Sequence, residues 1–233
     1  MMENRTPATT PAGAAFDVEK ARFNMVEQQI RPWDVLDQDV LNLMLTVKRE
    51  SFVPPALQAL AFADLELPLG VDGATMLAPK IEARLLQEVG AKDTDKVLEI
   101  GTGSGFMAAL LGARADEVLS VEINPQLAEQ ARANLARAGV DNVTVVTGDA
   151  ALGWAQGAPY DLIVVSASLP LLPPELLAQL KVGGRLVAIV GELPVMEAQL
   201  VTCVSEGVYN SINLFETVAA PLQNARQRER FSF

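Results

Sequence analysis

The sequence predicts a doubly wound, mostly parallel α/β fold with an N-terminal helical appendage. Three observations carry that prediction. From Lys96 onward, short runs rich in β-branched residues alternate with segments of helical spacing, the pattern of a parallel sheet covered on both faces. The first of those runs opens directly into glycines and then into a helix. Before it, apolar residues recur at three- and four-residue intervals between prolines, which is helical rather than strand-like spacing.

In chain order, residues 1–15 are rich in Pro, Thr, Ala and Gly with little to bury and read as a flexible leader. Phe16–Gln29 is expected to be helical, with Phe23, Val26 and Ile30 at three- and four-residue spacing. A second helix is expected over Asp37–Val47, and a third helical piece over Ala56–Ala63 after Pro54-Pro55. Residues 16–80 thus form a helical cap on an α/β core spanning 92–233, the two making one domain.

Within the core, Lys96–Ile100, Val118–Ile123, Val143–Thr147, Asp161–Ser166 and Arg185–Val190 read as strands. Gln199–Val204 and Ile212–Val218 are the last two, joined by a turn at Glu206-Gly207. Intervening helices are expected over Ser104–Ala115, from Pro125 (capped by Asn124) to about Ala138, and over Pro174–Leu180.

Composition narrows the chemistry. The 233 residues carry a net charge of −11, no histidine and a single cysteine, Cys203. Histidine-based triads, a histidine general base, histidine-ligated zinc and intramolecular disulfides are therefore excluded, and no metal site is expected. An acidic chain repels polyanions, so neither nucleic acid nor a membrane surface is an expected partner. No apolar run approaches the ~20 residues of a membrane span, and the N-terminus lacks a signal-like pattern. The expected location is the cytoplasm, and the expected state a monomer or small homo-oligomer. The C-terminal Ala225–Phe233, with three arginines, reads as a tail docked on its own domain.

The informative segment is Glu99-Ile-Gly101-Thr102-Gly103-Ser104-Gly105. It leaves a strand and opens a helix, where glycines permit a tight turn and close approach of a ligand to the main chain. A dinucleotide loop would place its third glycine at 106, which is Phe. The spacing found here instead resembles motif I of the S-adenosylmethionine-dependent methyltransferases. Glu122, followed by Ile123, ends the next strand, where a carboxylate accepts hydrogen bonds from ribose hydroxyls in either ligand class. Gly148-Asp149-Ala150 follows the third strand; in methyltransferases an Asp at this point meets the adenine amino group. Ser166 closes the fourth strand at the same edge of the sheet.

Further segments carry a more specific likeness. Met25-Val-Glu-Gln-Gln-Ile-Arg31, Phe52-Val-Pro54, Asp64–Gly70, Val97–Gly105, Asp141–Thr144, Ala158–Asp161 and Leu180–Leu186 together resemble the protein-L-isoaspartate (D-aspartate) O-methyltransferase family, a class I methyltransferase family of Rossmann-like fold. The resemblance implies methyl transfer from S-adenosylmethionine, leaving S-adenosylhomocysteine, to the carboxylate of isoaspartyl residues in damaged proteins or peptides. It also implies that Glu99, Gly101, Thr102, Gly103, Ser104, Gly105, Glu122, Ile123, Gly148, Asp149, Ala150 and Ser166 form the cofactor site, and that the Thr75–Pro79 segment poses the acceptor. One position departs from the pattern. Thr75 and Pro79 match, but where the family has an active-site serine this chain has Leu77. That substitution leaves open another acceptor, including a small molecule, or a cofactor-binding protein without isoaspartyl activity. A nicotinamide oxidoreductase is disfavoured by the glycine spacing.

Overall fold

A computed structural model describes residues 16–228; the expected leader at 1–15 and the last five positions lie outside the described residues. The cap begins with α1 (Val18–Met25), whose N-cap Asp17 accepts from the Lys20 N–H. A π-helical turn (Val26–Ile30) and a short 3-10 turn (Arg31–Trp33) follow. Next come α2 (Gln38–Thr46), capped by Asp37, and 3-10 turns at Arg49–Phe52 and Pro55–Leu60. The third helical piece is therefore 3-10 rather than α.

The apolar residues at helical spacing in the first helix do not all face the core. Val26 and Ile30 are buried, but Phe23 is 54% exposed and Arg22 is buried in its place. The π turn inserts an extra residue per turn, so a single 3.6-residue period does not run from Phe23 to Ile30. Arg22 enters because Glu19 (2.6 Å) and Glu50 accompany its guanidinium.

Two features of the cap were not expected. A small antiparallel hairpin joins β1 (Leu67–Pro68) to β2 (Thr75–Met76), so this third of the chain is not purely helical. A full helix, α3 (Pro79–Val89), then leads into the core, opened by Pro79 at its first turn and closed by Gly90 in the left-handed region (φ 57°).

The core alternates as predicted: β3 (Lys96–Ile100), α4 (Phe106–Gly112), β4 (Glu117–Glu122), α5 (Pro125–Ala138), β5 (Val143–Thr147), β6 (Tyr160–Leu169), α6 (Pro174–Leu177), β7 (Leu180–Glu192), β8 (Val195–Ser205) and β9 (Val208–Thr217). The seven strands lie in the order β5-β4-β3-β6-β7-β8-β9. Pairings from β5 to β7 are parallel, and β7-β8 and β8-β9 are antiparallel.

Alternate residues feed two cores, as the period of a strand requires. Val97, Leu162, Val164 and Val187 pack with Leu85 and Phe106 on one face, whereas Leu98, Ile163, Val165 and Ala188 pack with Tyr160 and Leu176 on the other. Cys203 is buried in the second core.

Several boundaries differ: β6, β8 and β9 run longer than expected, and α6 stops at Leu177 rather than Leu180. Helix α4 starts two residues later than expected because Gly105 adopts φ 84°, outside the helical region. Strand β7 begins at Leu180, ahead of the expected Arg185, and absorbs Gly183-Gly184. A Cβ on Gly184 would stand 2.8 Å from the Lys181 carbonyl and 3.1 Å from that of Asp161, so glycine serves close strand packing there.

Candidate active site

Parallel strands present their carboxyl ends on one edge, and a crevice opens where the strand order reverses. Here the reversal lies between β3, which leads on to β4, and β6 on its other side. A cleft of about 290 Å³ occupies that edge. It is lined by Ile100, Gly101 and Gly103 after β3, Val121–Ile123 from β4, Gly148–Ala151 after β5, and Ser166-Ala167 of β6.

Glu122 is held at the rim by two backbone donors: the Gly103 N–H reaches Oε2 (2.8 Å) and the Asn124 N–H reaches Oε1 (3.0 Å). Its carboxylate is thereby fixed against the glycine loop, and each oxygen retains capacity to accept a further bond. Gly101 adopts φ 87°. A Cβ there would stand 3.8 Å from Leu222 and 3.9 Å from the Ser166 carbonyl, both in the cleft wall, so a side chain would occupy the space a ligand needs. Asp149 turns its Oδ1 back to cap the Ala151 N–H at 2.9 Å.

Behind this wall lies a buried polar network. Glu99 is fully buried, its carboxyl receiving Ser120 Oγ (2.6 Å) and Ser166 Oγ (3.0 Å). Burial pushes its pKa up to about 8, against the opposing effect of the two serines and with Glu122 and Glu82 adding to the rise. Thr102 Oγ1 meets Ser120 Oγ at 2.5 Å, Ser104 Oγ accepts the Phe106 N–H at 3.2 Å, and Asn134 donates to the Ser104 carbonyl at 2.9 Å. Of the residues expected at the cofactor, Gly101, Gly103, Glu122, Ile123, Gly148, Asp149, Ala150 and Ser166 line the cleft. Glu99, Thr102, Ser104 and Gly105 stand behind it, where they hold the loop's shape.

The cap supplies the opposite lip. Asp72, Gly73, Ala74, Thr75 and Leu77 line the cleft, and Asp72 Oδ2 accepts from Asn124 Nδ2 at 2.7 Å. The Thr75 hydroxyl donates to Glu66 at 2.8 Å. Leu77 is 5% exposed, and its carbonyl accepts from Arg49 Nη2 at 2.6 Å. Arg49 is itself fully buried against Glu82 and the Ala61 carbonyl.

Lys80 is directed elsewhere, to Asp64 (2.7 Å) and over the Trp33 ring (4.4 Å). Trp154 packs against the Gly148 turn, where a Cβ would come within 2.6 Å of its ring.

Sequence reasoning missed Asp72 and the segment Ala220–Gln223, which forms the remaining wall. That segment runs beside the end of β6: Ser168 donates its N–H to the Ala220 carbonyl (2.9 Å) and accepts from the Leu222 N–H (2.8 Å). It has no periodicity to announce it. Beyond it, Ala225 is buried, Arg226 pairs with Glu175 (2.8 Å) and Arg228 donates to the Pro170 carbonyl (3.0 Å), so the tail docks on its own domain as far as Arg228. Among the described residues, no group of three or more His, Cys, Asp or Glu is placed to hold a metal ion. No helix there is long and apolar enough to cross a membrane.

The family model described as Protein-L-isoaspartate(D-aspartate) O-methyltransferase (PCMT) matches residues 20–223. The chain belongs to this family. Among relatives, the protein-L-isoaspartate O-methyltransferase of Methanoculleus marisnigri is 48% identical over 172 residues, 74% of this chain and 78% of that one. The protein of the same name from Koribacter versatilis is 40% identical over 215 residues, 92% and 95% of the two chains. A solved protein-L-isoaspartate O-methyltransferase superposes with TM-score 0.72 at 27% identity, over 88% of this chain and 65% of that longer one. A Plasmodium falciparum structure, described as a putative member of the family in complex with S-adenosyl-L-homocysteine, shares the fold with TM-score 0.74 at 21% identity, over 89% and 99%.

Proposed function

We propose that this protein transfers a methyl group from S-adenosylmethionine to the carboxylate of L-isoaspartyl or D-aspartyl residues in damaged proteins and peptides. The observation that carries this reading is the family match over residues 20–223; the cleft agrees with it, with Glu122 at the end of β4 pinned by Gly103 and Asn124 beside the glycine loop. The donor and acceptor set fits the nucleoside. Glu122 would hold the ribose hydroxyls, Asp149 the adenine amino group, and the space beside Gly101 would take the methionine portion. When bound, the cofactor supplies an electrophilic methyl on a sulfonium.

The remaining work falls to positioning. A carboxylate acceptor, with an ordinary pKa of about 3.9–4.3, is ionised at neutral pH and needs no base to become a nucleophile. A chain with no histidine can therefore carry out this reaction by aligning the reactants and excluding water. Thr75 and Leu77 face the acceptor's side of the cleft. Because the Thr75 hydroxyl proton is directed to Glu66, it is not a ready donor to the acceptor in place of the family's serine. Leu77 thus favours a second reading, in which the same chemistry serves a less polar acceptor, including a small molecule.

Radiolabelled methyl transfer to an isoaspartyl peptide, scored as base-labile ester, tests the assignment. Labelling by the wild type supports isoaspartyl transfer. Absence of label in both wild type and Leu77→Ser removes the isoaspartyl acceptor. Label in Leu77→Ser alone favours the second reading.

A further inference from the structure

Asn224 stands in the left-handed region at φ 60°, just past the Ala220–Gln223 wall. Glycine would satisfy that backbone at no steric cost, and asparagine is among the few other residues that tolerate it. The side chain here is not idle: its Nδ2 donates to Asp149 Oδ2 at 2.8 Å. The other oxygen of the same carboxylate, Oδ1, takes the Ala151 N–H at 2.9 Å. Two donors on opposite oxygens fix the rotation of the Asp149 carboxylate about its χ2 bond, which is otherwise broad. One donor belongs to the loop after β5 and the other to a chain segment anchored on β6 through Ser168. The orientation of the acid is thereby tied to the position of the far wall.

We propose that Asn224 is a positioning residue for nucleobase recognition, holding Asp149 with a lone pair aimed at the exocyclic amino group of a 6-aminopurine. The proposal rests on the assignment of Asp149 to adenine made above. It makes the segment Ala220–Asn224 part of the cofactor site, with selectivity for 6-amino over 6-unsubstituted purine as its consequence. Each oxygen of Asp149 keeps a lone pair after its protein contact, so the contact orients the acceptor without consuming it.

The test titrates S-adenosylhomocysteine, and its counterpart carrying hydrogen in place of the 6-amino group, into wild type, Asn224→Gly and Asp149→Ala by calorimetry. Glycine keeps the left-handed backbone and removes only the amide. The expected result is a wild type that prefers the amino ligand, and an Asn224→Gly variant that binds it about three- to tenfold more weakly, the scale of one hydrogen bond. Affinity for the deaminated ligand should be unchanged. Asp149→Ala should abolish the preference. If Asn224→Gly binds both ligands as wild type does while Asp149→Ala loses the preference, the role of Asn224 is overturned and the assignment of Asp149 stands. Equal weakening of both ligands in Asn224→Gly overturns it as well, since the residue then only supports the wall. A wild type that binds neither ligand overturns the cofactor assignment itself.

Discussion

Two residues mark the two sides of the cleft in the proposed reaction, Glu122 on the proposed cofactor side and Leu77 on the proposed acceptor side. Glu122 receives two backbone N–H groups on its two oxygens, so Glu122→Gln places an amide against a donor and removes the charge that strengthens any hydroxyl contact. Losing one charge-assisted bond costs about 1.5–3 kcal/mol, so affinity for S-adenosylhomocysteine should fall about ten- to a hundredfold by calorimetry, and the melting temperature should fall by several degrees because one backbone N–H loses its acceptor. Leu77 acts on the other half. It is one of the residues lining the cleft, and its side chain has no group that could hydrogen-bond an acceptor carboxylate. Leu77→Ser supplies a hydroxyl at this position, and the same energy range predicts a KM for an isoaspartyl peptide lowered by about tenfold or more. An unchanged KM would mean that another group already holds the carboxylate.

At the scale of elements, α5 joins the two lips of the cleft. Asn124 caps it by accepting the Gln126 (2.9 Å) and Leu127 (3.2 Å) N–H groups, and the same side chain donates to Asp72 on the cap loop. Asn124→Ala should cost about 1 kcal/mol for the lost cap, a fall of roughly 2–4 °C in melting temperature for a chain of this size, and should free the Asp72 loop. These local signals explain what the sequence made legible. Asn124-Pro125 and Gly139 bound α5 at its observed limits, and the β-branched runs of β3 and β5 fall on their observed strands, because each boundary is written in adjacent residues. Helix α3 carries comparable marks, Pro79 at its start and Gly90 past its end, but lies between a site motif and a strand, outside the alternation that announces the other helices. The two-residue strands β1 and β2 are too short to show a period. The Ala220–Gln223 wall is held by backbone contacts to Ser168, far away in the chain; no local pattern encodes it. The glycine loop, Glu122 and Asp149 were legible as a site because strand ends and glycines place them, whereas the Arg49–Leu77 carbonyl contact is tertiary.

The molecule as a whole folds around carboxyl groups whose burial raises their pKa, and this sets how its stability responds to pH. Glu99 is protonated in the folded state up to about pH 8, while its usual value is 4.5. Between those limits the folded chain holds a proton that the unfolded chain releases, so rising pH favours unfolding, by up to about 1.4 kcal/mol per pH unit from this group. The contribution is fully present below pH 4.5, is lost progressively toward pH 8 and changes no further above it. Glu82, buried against Arg49 and pushed up to about 7, acts in the same direction. Glu99→Gln keeps a polar side chain for Ser120 and Ser166 but cannot ionise. Its melting temperature should therefore decline less than that of wild type between pH 5 and pH 8, with the gap in the variant's favour widest at pH 8 and above. Glu82 is common to both proteins, so the difference between their melting curves reports Glu99 together with its coupling to Glu82 and Glu122. Parallel curves across that range would mean that Glu99 is ionised in the folded protein, and the network behind the glycine loop would then carry a buried negative charge.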